Sequence, residues 1–394
     1  MTRVLVVAKR PPTRGLVGGD GDANIVCAAL DEMIRRGHRV TVLSFEDELS
    51  GRPEHDHPSI DHVILPARPH KQAYARYPAH RTAVSAWQRS TPAARRAVAD
   101  ISRTCDVAYF HGISTFDLVD DAECPVVAHE IDPMSMSLRE ETELPGAGRL
   151  GVLLKRRAAA DYERLERAMS DRASRYLVVT RNDADDLQNL LQRPVDSVPL
   201  GYRASDVATV IPFDRRSYDV AFVGALNFTP NRIALERYLD DVVEPLSRRH
   251  AGLRAIVAGR RSDSTIEAMC AGRAELVSDP ESLQDIMATT RVCVFTNTFG
   301  RGERTTVREA LSVGTPVAGF AWALRNLRSG PHAVIGDGSE LIESVSVLLS
   351  DQAQWQQAAD AALLTAREMP GWDHVSACLI DHLEAAIRPP ATAR

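Results

Sequence analysis

Thr298-Phe-Gly-Arg-Gly-Glu-Arg-Thr-Thr-Val-Arg-Glu-Ala-Leu-Ser-Val-Gly-Thr-Pro-Val-Ala-Gly-Phe320 follows an apolar, strand-like run, Val292-Cys-Val-Phe-Thr296, and passes through a Gly- and Arg-rich turn into a short helix. Strand, loop and helix in that order make an anion site. The unpaired amides of the first helical turn and the positive end of the helix dipole hold a phosphate. Thr305, Thr306 and the guanidinium of Arg304 add donors. Glu309 follows on the helix, where a carboxylate accepts hydrogen bonds from sugar hydroxyls. Diphosphate plus ribose describes a nucleotide sugar. The plainer reading is a βα turn of a doubly wound domain, with Glu309 solvated and Gly314-Thr-Pro316 an ordinary helix stop. Taken alone, the loop leaves both readings open.

Composition narrows the field. A chain of 394 residues exceeds what one core usually holds, so two domains are expected. With 44% hydrophobic and 25% charged residues it is globular, and a net charge of −6 argues against a nucleic-acid binder. Lys9, Lys71 and Lys155 are the only lysines, so arginine carries nearly all the positive charge. With abundant Ala and Val, that points to a GC-rich bacterial genome. Cys27, Cys105, Cys124, Cys270, Cys293 and Cys378 are scattered without a C-x-x-C pair, as expected of reduced, buried thiols, and no metal site is expected. No apolar run reaches bilayer length and the N-terminus enters a strand directly, so a cytoplasmic protein is expected.

Two βαβ openings set the architecture. Arg3-Val-Leu-Val-Val-Ala8 reads as a central parallel strand, followed by a loop with Gly18 and Gly19, a helix from about Ala23 to Arg36, and the strand His38-Arg-Val-Thr-Val-Leu43. Gly18-Gly-Asp-Gly21 is not the dinucleotide fingerprint; its glycines let backbone approach a diphosphate, or simply form a flexible turn. His62–Leu65, Val107–Phe110, Pro125–His129 and Arg175–Thr180 read as further strands, and Ser137 to Arg175 as charged helix. The pattern then restarts. Asp219–Val223 is a strand, Gly224–Asn231 a loop, Arg232 to His250 a helix, and Arg254–Gly259 a strand. The fold class is therefore α/β with two Rossmann-like domains. The expected bounds are 1–200, 201–370 and a C-terminal helix over 371–394.

Between Arg68 and Arg103 stand eight basic residues against the single acid Asp100, interleaved with Tyr74, Tyr77 and Trp87. Such a segment suits a phosphorylated acceptor or an anionic membrane surface. The spacing of Ala83, Trp87 and Ala94 favours an ordinary helix with a buried stripe. His111 and His129-Glu-Ile-Asp132 fall at strand ends, where ligands of open α/β sheets gather.

Glu309-Ala-Leu-Ser-Val-Gly-Thr-Pro-Val317 resembles the donor segment of the retaining, family-4-type glycosyltransferases of the GT-B fold. Gly18-Gly19 before a helix and a Gly-His-x-Val-Thr-Val strand, Leu200-Gly-Tyr202 as a hinge crossing, and Phe222-Val-Gly with Pro230-Asn231 are similar to the same family. The resemblance implies two domains facing across a cleft, with the acceptor held by the first and the nucleotide sugar mainly by the second. It assigns Glu309 to the ribose and Gly18, Gly19, Gly224, Asn227, Arg260, Arg304, Thr305 and Thr306 to the donor phosphates. His129 is placed at the donor sugar, Asp132 at the acceptor, and Glu303 as a substitute for a second glutamate. Many members carry that glutamate eight positions before Glu309, where this chain has Arg301. The family's Arg/Lys pair is also absent, so Arg260, Arg261, Arg301 or Arg304 is expected to neutralise the diphosphate.

The expected activity is metal-independent transfer, with retention, from a nucleotide-diphosphate sugar to a hydroxyl of a small-molecule or glycan acceptor. No cofactor is expected, and membrane-surface contact is the less favoured option. The alternatives are a GT-B epimerase or pseudo-glycosyltransferase drawing on His129, Glu130 and Asp132, and an inactive nucleotide-sugar-binding partner subunit.

Overall fold

The computed structural model describes residues 1–13, 21–46, 55–77, 82–143, 148–202 and 210–387, with the side chains of 21 and 22 left aside. The chain divides into two compact units. One comprises Met1–Gly201, Arg301–Glu303 and Pro370–Arg394; the other comprises Tyr202–Gly300 and Arg304–Met369. Each is built on one parallel sheet.

The first sheet has strands β1 (Arg3–Ala8), β2 (Arg39–Glu46), β3 (Ile60–Pro66), β4 (Val107–His111), β5 (Val126–Glu130), β6 (Arg175–Val178) and β7 (Asp196–Ser197). Their order is β3-β2-β1-β4-β5-β6-β7, with every adjacent pair parallel. β1 is covered on both faces, which is why it reads as an unbroken apolar run. Leu5 and Val7 face Phe45, Phe110 and Val126, while Val4 and Val6 face Ile25, Leu30 and Met33 of the helix Gly21–Arg35. The strand order reverses between β1 and β4, which opens a crevice at their carboxyl ends.

The charged span from Ser137 to Arg175 forms two helices, Met134–Thr142 and Arg149–Arg172. Pro145, Gly146 and Gly148 stand between them, and such residues are poor helix formers. The basic span forms three helices, His70–Arg76, Val84–Arg89 and Pro92–Ser102. The last begins with Pro92 in its first turn and Thr91 capping the amide of Ala94 at 3.1 Å. The helix Trp372–Ile387 completes this unit. Its Val375, Leu379, Ile380 and Leu383 join the core formed by Val4, Val6 and Tyr109, and Arg36 binds Asp381 at 2.7 Å.

The second sheet has β8 (Tyr218–Ala225), β9 (Ala255–Arg260), β10 (Glu275–Ser278), β11 (Thr290–Phe295), β12 (Val317–Gly319) and β13 (Ala333–Ile335), in the order β10-β9-β8-β11-β12-β13, again all parallel. The helix expected from Arg232 to His250 starts at Thr229 and is interrupted by a π turn, Tyr238–Val243, before Glu244–Arg249. Pro245 has no amide to donate one turn back, so the ladder widens just before it. Two helices, Gly338–Ser350 and Gln352–Glu368, cover this sheet; the second buries Trp355, whose indole donates to the Arg291 carbonyl at 2.8 Å. Among the described residues no helix is long and apolar enough to cross a membrane.

Candidate functional site

In the second unit the carboxyl ends of β8, β9 and β11 gather most of the donor residues expected from sequence. Gly224 and Gly259 are register partners, and a Cβ on Gly259 would fall on the Gly224 carbonyl. Only a side-chain-free residue fits there. Beyond β8 the loop is fastened by asparagines: Asn231 Nδ2 donates to the Ala225 carbonyl at 3.0 Å, and buried Asn297 donates to Asn231 Oδ1 at 3.2 Å. Asn227 lies exposed on the same loop.

The loop after β11 leads into the helix Thr305–Ser312, capped by Arg304 without a side-chain cap bond and with no acid in its first turn. That leaves the dipole's positive end for an anion. Thr305 is exposed there and Thr306 half-buried. Arg304 lies beneath the loop, donating to the carbonyls of Phe299 at 3.2 Å and Ala323 at 3.3 Å. One turn on, burial pushes the Glu309 carboxyl above its ordinary range, and Arg260 at the end of β9 pulls it back. Nη1 of Arg260 is buried with no hydrogen-bond partner among the described residues. A buried guanidinium nitrogen so placed is ready for an anionic oxygen.

Arg301, one of the candidates for neutralising a diphosphate, has another occupation. It groups with the first unit, ion-paired to Glu140 at 2.6 Å, to Asp183 at 3.4 Å and to Asp186. Its charge is answered by three carboxylates, so Arg260 and Arg304 remain the better candidates. Gly302, at φ 78°, gives its amide to Asp183 at 2.9 Å, and Glu303 beside it is half-buried.

The first unit separates two other expected residues. His129 is fully buried on the sheet face that carries Tyr109 and His111, while its neighbour Glu130 points to the opposite side, as strand alternation requires. Burial, followed by the imidazoles of His111 and His382, holds the His129 pKa well below the usual histidine value, so the ring is neutral. Nε2 of His129 is buried with no hydrogen-bond partner among the described residues.

Glu130 and Asp132 line a cavity of about 930 Å³ at the carboxyl ends of β1 to β5. Burial and neighbouring Glu166 push the Glu130 carboxyl well above the carboxylate range, and the Tyr176 hydroxyl donates to it at 2.6 Å. Gly18 and Gly19 lie outside the described residues.

No protein-family model and no curated protein matches the sequence. Solved structures do match in shape along nearly the whole chain. HepE from Anabaena, in complex with UDP and glucose, is 11% identical over 98% of this chain and 100% of its own, with a TM-score of 0.65. The UDP-forming α,α-trehalose-phosphate synthase from Burkholderia vietnamiensis is 12% identical over 100% and 99%, at 0.68. A glycosyltransferase from Rickettsia africae is 9% identical over 98% and 99%, at 0.67. The fold is GT-B. At these identities the likeness concerns the GT-B fold, and the chemistry has to be argued from residues.

Two groups of residues escaped the sequence reading. Trp322 and Arg325, in the turn after β12, stack at 4.3 Å, and the Trp322 indole donates to the Gly300 carbonyl at 3.3 Å, bracing the loop before Arg304. Their signal was faint, since an isolated Trp in a turn has no periodicity. The second group is Lys9 and Arg10 after β1, which line the first unit's cavity together with Arg68 and Arg89 of the basic span; the two pairs lie far apart in sequence and share no single window.

Proposed function

We propose that this protein is a metal-independent, retaining glycosyltransferase that moves a sugar from a nucleotide-diphosphate sugar to an acceptor hydroxyl. The observation that carries the reading is Glu309 on a helix opening the carboxyl end of the second sheet, with Arg260 beside it and its buried Nη1 unmatched among the described residues. In the proposed complex Glu309 accepts from the ribose hydroxyls. The amides of the helix start, with Arg260 and Arg304, hold the diphosphate. HepE was solved with UDP and glucose, which is consistent with a uridine nucleotide as the first donor to try.

In the reaction the anomeric carbon–oxygen bond to the diphosphate breaks and an acceptor oxygen bonds to the same carbon from the same face. The acceptor proton leaves on the departing phosphate, so no protein nucleophile is demanded. The main task of the protein is to stabilise charge growing on the leaving group, which fixed amides and guanidinium groups do without reorganising. His129, Glu303 and Asp132 are assigned to the donor sugar, the missing second glutamate's place and the acceptor.

The test is thermal unfolding against UDP-, GDP- and TDP-sugars, repeated on Glu309→Ala. A ligand at a hundred times its dissociation constant adds about 2.7 kcal/mol. A shift with one nucleotide that vanishes in the variant supports the donor site. No shift with any of them overturns it. Tight donor binding without turnover under every acceptor supplied points to an inactive subunit. The product's anomeric configuration by NMR, and turnover with a chelator present, check retention and metal independence.

A further inference from the structure

We propose that the start of the helix Arg149–Arg172 is a docking surface for an anionic phospholipid bilayer.

The stretch Arg149-Leu-Gly-Val-Leu-Leu-Lys-Arg-Arg157 turns its apolar side outward. In the later turns of the same helix Ala159, Leu165 and Met169 are buried, as an amphipathic helix on a core requires. In the first turns the order is reversed. Leu150 is 70% exposed, Leu153 64% and Leu154 51%, while Val152 and Lys155 are the half-buried side. Positions 150, 153 and 154 are neighbours on one helix face, so three of the helix's four leucines make a single patch. Among the described residues no other element exposes more than one large apolar side chain. A lone exposed leucine is ordinary, whereas a contiguous apolar patch with a polar rim marks an interaction site.

The rim decides what covers the patch. Arg149, Lys155, Arg156 and Arg157 are four cations in nine residues with no acid among them. Lys155 binds Glu141 at 2.8 Å, whereas Arg149 and Arg156 are exposed with no ion pair among the described residues. Gly148 caps the helix without a side-chain bond and the first turn holds no acid, so the positive end of the dipole adds to the charge. The Arg157 guanidinium lies 4.9 Å from the centre of the Tyr77 ring and donates to the Tyr77 carbonyl at 3.2 Å. That contact seats the helix His70–Arg76 beside the patch, with Lys71, Tyr74 and Arg76 exposed and only Ala73 buried. Tyr74, stacked on His70 at 4.8 Å, has the apolar body and polar tip suited to a water–lipid boundary. Lys71 and Arg76 likewise have no ion pair among the described residues, while Glu143 stands exposed at the cap of the preceding helix.

Apolar side chains beside unpaired cations match a bilayer interface, where acyl chains take the leucines and anionic headgroups take the guanidinium groups. A second copy of this chain would bring the same cations face to face, which like charge opposes. With a net charge of −6, the molecule is also oriented by this local excess, since an anionic surface repels the rest of it and attracts this face. Lipid binding of this kind needs no nucleotide sugar, so it stands or falls apart from the transferase reading.

The test is flotation of the full chain with vesicles of phosphatidylcholine, alone or mixed with phosphatidylglycerol. Two variants accompany wild type, Leu150→Gln/Leu153→Gln/Leu154→Gln and Arg149→Gln/Arg156→Gln. Glutamine keeps helix propensity and every replaced side chain is exposed, so Tm should match wild type in both. The expected result is binding to the mixed vesicles at least about tenfold stronger than to phosphatidylcholine alone, falling with added salt and weakened about tenfold or more in each variant. No binding to the mixed vesicles overturns the proposal, as does equal binding to both kinds or undiminished binding in either folded variant. If the leucine variant does not fold, the arginine variant decides. A wild-type dimer in light scattering that the leucine variant converts to monomer assigns the patch to a second copy, and overturns the lipid partner.

Discussion

The phenol oxygen of Tyr109 lies 2.8 Å from Nδ1 of His129, and equally 2.8 Å from Nδ1 of His111. One hydroxyl has one proton to give, so it donates to one ring and accepts from the other. One of the two Nδ1 atoms therefore bears a hydrogen and the other does not. Tyr109→Phe removes the bridge inside the core and leaves ring nitrogens unmatched. A loss of about 1–3 kcal/mol in unfolding free energy is expected, read by denaturant titration. If His129 serves at the donor sugar, kcat falls with it while the donor Kd holds.

Burial gives the first unit two opposing pH dependences. His129 is held neutral in the folded chain, whereas the unfolded chain takes up its proton near pH 6.5. The unfolded state then binds more protons, so this group's contribution is lost as pH falls below about 6.5, by at most about 1.4 kcal/mol per unit. Glu130 has the opposite sign. Its raised folded pKa keeps a proton that the unfolded chain releases above about pH 4.5, so stability is lost as pH rises from there toward the folded value. Glu130→Gln is expected to flatten the alkaline limb of stability against pH, and His129→Gln the acidic limb. Unfolding measured at half-unit steps from pH 5 to 8.5 checks both; an unchanged profile in either variant contradicts its assignment.

The parts of this molecule that were legible in sequence are those with local causes. β1, β2, β8 and β9 are short apolar runs buried on two faces, and each announces itself within eight residues. Thr180 was readable as a helix cap, and its Oγ accepts from the Asp183 amide at 3.1 Å. The helices Gly338–Ser350 and Gln352–Glu368 were not read. In the second, the apolar positions Ala358, Ala359 and Ala362 around Trp355 are too small to stand out, whereas the first carries a legible stripe, Leu341, Ile342, Val345, Leu348 and Leu349, that the reading passed over. The role of Arg301 was hidden for another reason. Glu140, Asp183 and Asp186 lie more than a hundred positions away, and only folding brings them to it.

Gly201 meets Trp372 so closely that a Cβ there would come within 2.7 Å of the tryptophan's Cα, quite apart from its ring. A ring can rotate aside, but backbone at the start of the helix Trp372–Ile387 cannot without lifting that helix from its core. Gly201→Ala should therefore cost about 1–3 kcal/mol as an overpacked contact. Gly112→Ala serves as a comparison, because its space is open while its φ of 80° carries the strain. A thermal scan in which Gly201→Ala matches wild type would contradict the contact.

Glu309 separates donor recognition from folding. A carboxylate accepts with both oxygens, and two ribose hydroxyls use both; an amide keeps one acceptor and turns the other position into a donor. Glu309→Gln should therefore weaken nucleotide-sugar binding about tenfold or more, equivalent to about 1.4 kcal/mol. The fold should not suffer. Burial raises the pKa of this carboxyl, so a neutral side chain of the same shape relieves a desolvation cost in the empty protein. The expected pattern is an unchanged or raised Tm without ligand, together with a reduced shift on adding donor. Arg260→Gln gives the complementary case: it removes the cation that holds Glu309 ionised and, in the proposed complex, a diphosphate contact. The double variant should lose less than the sum of the two single losses, because both act on the same bound nucleotide. Strict additivity in calorimetric titrations would mean that the two residues serve separate ligands.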